Sequence, residues 1–359
     1  MKHVTGIVGK VFVCSMAALA ISLFCLRPQP AGAQGQFAGQ WIIEINSFKS
    51  RPDRVYVSLR YETERGGWSN TSHLVARDQL QGLTEAQAAG AGSNVQFQIR
   101  RDAGVFNCEG WFREGKGSGH FTFVASQSYA AELRSRGYES PSDEQMFRLA
   151  LGDVSLSLID ELKAQGYERS SLDQLVRVGT HGVSINYIRE IGALGYRVGQ
   201  VEKLVRMRDH GVTADFVRDM QAAGYRDLSA DQLVRARDHG VSPEFVREIM
   251  DAGYNNLSIE ELVRARDHGV DGEFVREIRR LGFTDIRLEQ IIRMRDHGVT
   301  PRFIEGIKQA GFENATAEEI VRMRDHGVTP EYIQKLRSRG IQNLTIEQVI
   351  RLRDHGIDG

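Results

Sequence analysis

The last two thirds of the chain repeat one unit of 29 residues, and this period constrains the fold more than any other feature. The signature of the unit is Arg-Asp-His-Gly-Val/Ile. It stands at Arg208-Asp209-His210, Arg237-Asp238-His239, Arg266-Asp267-His268, Arg295-Asp296-His297, Arg324-Asp325-His326 and Arg353-Asp354-His355, with no insertion or deletion between copies. A weaker copy at His181 has Gly179 and Thr180 where the others have Arg and Asp, and one step further back the histidine position is Gly152. A second marker, Gly followed by an aromatic residue or Ile, keeps the same spacing from Gly137 to Gly340. A regular period of ~20–50 residues marks a stacked repeat array.

Each unit reads as two short helices. Ten residues before the histidine stands Ser142, Ser171, Ser229, Ser258, Thr316 or Thr345, and three residues further on stands Gln145, Gln174, Gln232, Glu261, Glu319 or Gln348. That is a capping box, in which the hydroxyl and the longer side chain satisfy each other's orphan backbone N–H groups. Gln200 and Arg287 interrupt it in two units. Apolar residues such as Ile259, Leu262, Val263 and Ala265 then form one helical face. The Gly after the histidine ends this helix, since Gly takes the left-handed conformation at little cost. Ser242, Asp271, Thr300 and Thr329 cap the second helix, Pro243, Pro301 and Pro330 open it, and it closes on Gly253, Gly282, Gly311 or Gly340. Helices of this length are marginal alone. Stacking of neighbouring units buries both apolar faces and gives an α-solenoid of about eight units over residues 127–359.

The polar residues of the signature have bland and sharp readings. Arg264 follows the acid Glu260 by four residues, and every unit repeats this spacing, so a helix-stabilising pair within each first helix is expected. The Asp-His pairs invite a metal reading. Stacked helices lie about one helix diameter apart, ~10 Å, while zinc ligands sit at ~2.0–2.2 Å. Histidines of adjacent units are thus poorly placed to share an ion, and neither metal nor cofactor is expected. The histidine is expected beside the carbonyls at its helix end. An Asp at a helix C-terminus opposes the macrodipole, so it needs a cation, and Arg208, Arg237, Arg266, Arg295, Arg324 and Arg353 are the candidates across neighbouring units. The joint loss of both at Gly179 and Thr180 fits a pair. The eighteen Arg, Asp and His residues are therefore read as structural or partner-contacting.

Residues 34–126 read as β. Gln40–Ile45, Arg54–Glu62, Asn94–Arg100, Val105–Phe112 and His120–Val124 are short runs rich in β-branched and aromatic residues, several alternating apolar with polar. Asp102-Ala103-Gly104 and the Gly-rich run 115–119 are expected as hairpin turns. The fold class is then α+β: a small antiparallel β-sandwich or barrel followed by an all-α solenoid of two-helix repeats. His73, Cys108, Glu109 and His120 match no metal or nucleophile spacing, and Cys108 reads as a core residue. No catalytic motif is found, so the chain is not expected to be an enzyme.

The first 33 residues read as a secretory signal peptide, with Lys2 and Lys10, an apolar run Val11–Leu26, and a cleavage site after Ala33. The alternative, an uncleaved anchor, suffers from a run of 16 apolar residues, short of the ~20 that span a bilayer. Cleavage would leave 43 basic against 47 acidic residues, a net charge of -4, and only Cys108. The charge offers nothing to nucleic acid. The membrane enters only through the signal segment before cleavage, and the protein is expected in the periplasm or secreted.

The Arg-Asp-His-Gly-Val-Thr-Pro-Glu-Tyr type signature, with Arg101-Asp102-Ala103-Gly104-Val105-Phe106 through Gly117-Ser118-Gly119 ahead of it, resembles the short two-helix repeats of bacterial exported proteins. Similar arrays are appended to BlaR1/M56-type membrane zinc peptidases. The peptidase part is missing here, so the resemblance implies an extracytoplasmic sensing or interaction module; the curved surface of the α-solenoid is expected to serve a protein or peptide partner. Two alternatives stand beside it: a ligand or enzyme site in the β domain with the array as a spacer, and an envelope scaffold self-associating through the C-terminal end of the array.

Overall fold

The computed structural model describes residues 37–45, 53–63 and 66–357. The expected signal segment and Ala33 lie outside the described residues. Among the described residues no helix is long and apolar enough to cross a membrane. The chain divides into two compact units: residues up to 100 with 105–124, and residues 101–104 with 125–359.

The first unit is one antiparallel sheet curled into a half-barrel. Its strands are β1 (Ala38–Glu44), β2 (Arg54–Glu62), β3 (Trp68–Ala76), β4 (Leu80–Gln81), β5 (Ser93–Arg101), β6 (Gly104–Arg113) and β7 (Lys116–Ala125). They are ordered β3-β2-β1-β7-β6-β5-β4, and a five-residue helix α1 (Glu85–Ala89) precedes β5. Alternation along the strands turns Trp41, Val57, Phe97, Phe106, Phe112 and Phe121 inward, where they are buried. The Trp41 ring stacks on Phe112 at 5.6 Å between centroids and meets Phe97 edge-on at 5.1 Å. Its indole N–H donates to the carbonyls of Glu109 and His120, at 3.1 Å each.

Two expectations are corrected here. The turn between β6 and β7 is Glu114-Gly115 alone; Gly117 and Gly119 belong to β7. They are glycines because of packing. A Cβ on Gly117 would lie 2.5 Å from the Phe112 ring, and one on Gly119 would lie 2.0 Å from the Glu109 carbonyl oxygen. The sheet also holds β3 and β4, which the sequence reading passed over. β3 is Trp-Ser-Asn-Thr-Ser-His-Leu-Val-Ala and carries few of the residues that mark a strand; it forms because all nine of its residues pair with β2.

The second unit is a run of helices, each nine residues long. After α2 (Gln127–Ser135) come the pairs α3 (Asp143–Leu151) and α4 (Leu156–Ala164), α5 (Leu172–Thr180) and α6 (Ile185–Ala193), and α7 (Val201–Asp209) and α8 (Ala214–Ala222). The series continues with α9 (Ala230–Asp238) and α10 (Pro243–Asp251), α11 (Ile259–Asp267) and α12 (Gly272–Arg280), and α13 (Leu288–Asp296) and α14 (Pro301–Gln309). It closes with α15 (Ala317–Asp325), α16 (Pro330–Ser338) and α17 (Ile346–Asp354). First helices pack on the first helices of the next unit and second helices on second helices, as in α11 on α9 and α12 on α10.

The local signals act as read. Ser258 accepts from the Glu261 N–H, and the Glu261 carboxylate accepts from the Ser258 N–H at 2.7 Å. At the far end Gly269 adopts φ +68°, which lets Val270 N–H reach the Ala265 carbonyl at 2.9 Å and tucks Val270 into the core. Gln200 and Arg287 supply no side-chain cap to the backbone.

Candidate functional site

The signature residues meet at the junctions between units, and they form three parallel ladders. The first joins the histidine of one unit to the aspartate of the next. His181 Nδ1 lies 2.6 Å from Asp209, His210 lies 2.5 Å from Asp238, and His239 lies 2.8 Å from Asp267. His268 to Asp296, His297 to Asp325 and His326 to Asp354 follow at 2.6, 2.7 and 2.8 Å. An ionised carboxylate only accepts, so Nδ1 carries the proton and Nε2 stays outside the pair. The histidine is the residue that ends each first helix, and the aspartate ends the next one. The carboxylate is thus compensated across the junction, where the macrodipole works against it.

The second ladder corrects the expected pairing of aspartate with arginine. Arg208, Arg237, Arg266, Arg295, Arg324 and Arg353 lie instead over aromatic rings of the preceding unit: Tyr187 at 5.3 Å, Phe216 at 5.0 Å, Phe245 at 5.1 Å, Phe274 at 4.8 Å, Phe303 at 5.2 Å and Tyr332 at 5.0 Å. These are cation–π contacts, the guanidinium facing a ring otherwise packed in the core. Arg208 Nε also donates to the Gly182 carbonyl at 3.2 Å.

The third ladder corrects the expected pair within each first helix. Arg177, Arg206, Arg235, Arg264, Arg293 and Arg322 reach the first-turn acid of the next unit's helix, Glu202, Asp231, Glu260, Glu289, Glu318 and Glu347, at 2.7 to 3.0 Å. The neighbouring first helix lies alongside, and its N-terminal acid is nearer than the arginine's own. The i, i+4 geometry is found at Arg351 and Glu347, at 3.7 Å. The Arg322 hydrogen bond holds the Glu347 carboxyl below its usual range, and Glu347 in turn raises the guanidinium. At the first junction Gln145 takes this place, donating to Asp173 at 2.9 Å.

The weak copy now has a reason. Asp at position 180 would face residue 152, which is Gly, and Arg at 179 would lie over residue 158, which is Leu and has no ring. With both partners missing, the junction closes backbone to backbone. A Cβ on Gly152 would lie 2.7 Å from the Gly179 Cα.

Magnitudes assign the ladders their role. Exposed ion pairs contribute ~0–1 kcal/mol, against ~1.5–3 kcal/mol for each large apolar side chain buried. Leu262, Val263, Phe274, Val275 and Ile278 are buried in one unit alone. Apolar burial stabilises the stack, and the ladders fix which residue of one unit faces which residue of the next.

Outside the junctions, the second helices carry a further row of charged residues. The sequence reading missed a feature there. Arg189, Arg218, Arg247 and Arg276 are exposed and stand one repeat apart. Arg218 and Arg247 fold back onto Asp215 at 2.6 Å and Glu244 at 3.8 Å, and Arg189 reaches Glu161 at 2.7 Å. The 29-residue period carries these arginines through four units, after which Glu305 and Gln334 stand at the same position. Among the described residues no group of three or more His, Cys, Asp or Glu is arranged to hold a metal ion. No protein-family model matches the chain, and no curated protein matches it.

Proposed function

We propose that the helical array is a non-enzymatic binding module for an extended protein or peptide partner, working outside the cytoplasm in the periplasm or after secretion. The observation that carries this reading is the register of the array. The same clamp recurs junction after junction, so equivalent outward side chains are presented at a constant interval on a stiff support. An extended chain with carboxylates or free carbonyls matches such a row, and stacked helical repeats use their extended surfaces in this way. Arg218, Arg247 and Arg276 are the contacts assigned. Arg218 and Arg247 are paired with exposed acids on their own helices, which a partner replaces at small cost. The resemblance to arrays joined to membrane zinc peptidases supports the same reading.

The test compares capture from envelope extract by the full chain and by the triple variant Arg218→Glu, Arg247→Glu, Arg276→Glu. A protein held by the wild type and released by the variant, with helicity unchanged, supports the module. Equal capture by both excludes this stripe. Light scattering at rising concentration separates the scaffold alternative.

A further inference from the structure

The outward face of the sheet carries a strip that the array-based reading leaves unused. Two adjoining depressions lie on it, of ≈ 420 and ≈ 620 Å³, and they share Gln96, Glu109 and His120 as lining. Beyond them the first is lined by Gln98 and Asn107 and the second by Asn94. His120 stands opposite Gln40 in the pairing of β7 with β1. Asn is disfavoured in strands, and Gln is not among the residues that favour them, so their concentration here goes beyond what forming the sheet requires.

The strip divides by chemistry. Gln98 donates to Asn107 at 2.7 Å and accepts from Arg100 at 2.6 Å, so these side chains are satisfied among themselves. The side chains of Gln96, Glu109 and His120 show no such bonds, and they are aimed into the shared part of the depressions. The backbone beneath two of them is fixed from inside the barrel by the Trp41 N–H, which bonds to the carbonyls of both Glu109 and His120. Two residues along β6 from Glu109 stands Trp111, which is 46% exposed. Gly92 is bare beside this ring, where a Cβ would lie 2.7 Å from it.

We propose that this strip binds a neutral oligosaccharide, with Gln96, Glu109 and His120 taking the hydroxyls and Trp111 packing on the apolar face of a sugar ring. An amide offers a donor and an acceptor in one plane, and His and Glu add one or more each. Adjacent sugar hydroxyls, each able to donate and accept, meet that requirement. Neither depression has an arginine or lysine in its lining, and Arg113 and Lys116, which share a third depression with Trp111, are paired with Glu114 and Glu44, so an anion finds only cations that already have acidic partners. Glu109 is the one carboxylate, too little for a polycation. An extended peptide adds to a sheet at its edge, through main-chain hydrogen bonds, whereas Glu109, Trp111 and His120 lie on β6 and β7, which are paired on both sides. The proposal concerns the sheet alone and stands whether or not the array binds a protein.

The full chain is titrated by calorimetry and tryptophan fluorescence with N-acetylchitohexaose, cellohexaose and maltohexaose, and with a heparin hexasaccharide as the anionic comparison. At least one neutral hexasaccharide is expected to bind in the micromolar to millimolar range. Trp111→Ala and Gln96→Ala are each expected to weaken it about tenfold, and the arginine-stripe variant of the array to leave it unchanged. Burial of Cys108 against a thiol reagent verifies that each variant keeps its sheet. Binding of none of the neutral probes at millimolar concentration overturns the proposal, as does binding of the anionic probe alone or equal affinity in the folded Trp111→Ala variant.

Discussion

At the scale of single residues, the array shows that an exposed charged signature can be a matching rule between units. His239 and Asp267 illustrate it: neither has a charge partner in its own unit, and each meets the other at 2.8 Å across the junction. A double-mutant cycle on His239→Ala and Asp267→Ala is expected to give a coupling of about 0.2–1 kcal/mol in chemical denaturation. A coupling of zero would mean that the contact does not hold the junction. The junction that lacks the pair makes the opposite demand. Gly179→Ala places a Cβ 2.6 Å from Val154 Cγ2 and 2.8 Å from the Gly152 Cα. It is expected to destabilise by about 1–3 kcal/mol, although alanine favours helix over glycine. In the sheet, burial raises the Cys108 thiol to about 12. At pH 8 the group is therefore protonated as well as enclosed, and a thiol reagent is expected to react only at the rate at which the sheet opens. Immediate labelling of the native protein would contradict the burial of Cys108.

At the scale of elements, what the sequence made legible depends on whether the signal is local. Cap, apolar face and terminal glycine all lie within one helix, so the first helices were read to within a residue or two; Ser258 and Gly269 bracket α11 as expected. The ladders are not local. Arg264 meets Glu289 and His268 meets Asp296, at separations of 25 and 28 residues. No helical periodicity reports such offsets, and Arg264 has an acid four residues before it that makes the wrong partner plausible. The clue was the joint change of Gly152 and Leu158 with Gly179 and Thr180, which becomes readable once stacking order is known. β3 was passed over for a related reason: its strand character comes from pairing with β2, and its own residues are mostly polar. The cap reading also makes a stabilising prediction. Arg287 offers α13 no side-chain cap. Arg287→Ser, which restores the box with Gln290, is expected to add about 0.5–1 kcal/mol, seen as a raised melting temperature. A lowered one would show that Arg287 holds a contact worth more than the cap.

At the scale of the whole array, the three ladders imply that units are interchangeable in steps of one period and in no other step. Deletion of residues 240–268 removes one full unit of 29 residues and joins His239 to Gly269, the residue type that already follows it. Asp296 then stands where Asp267 stood, and Glu289 replaces Glu260 opposite Arg235. Arg295 keeps its own ring, Phe274. On the second helices, Gly272, which packs closely on the Glu248 backbone, would meet the equivalent Asp219. Every contact at the new junction thus has a chemically matching partner. Stability in a stack is close to a sum of unit and nearest-neighbour terms, so the shortened chain is expected to keep its helicity per residue and a cooperative melt, at a somewhat lower temperature. Deletion of 254–268 alone removes α11 and sets two second helices in succession. It places the apolar face of α12 against no first helix and leaves His239 without its aspartate. This variant is expected to lose cooperativity and to bind a hydrophobic dye. If instead both deletions melt alike, the register is set by apolar packing alone, and the charged signature is free to serve a partner. If the full-unit deletion keeps its cooperative melt and the half-unit deletion does not, the signature belongs to the junctions, and the proposed partner contacts lie outside it, on the second helices.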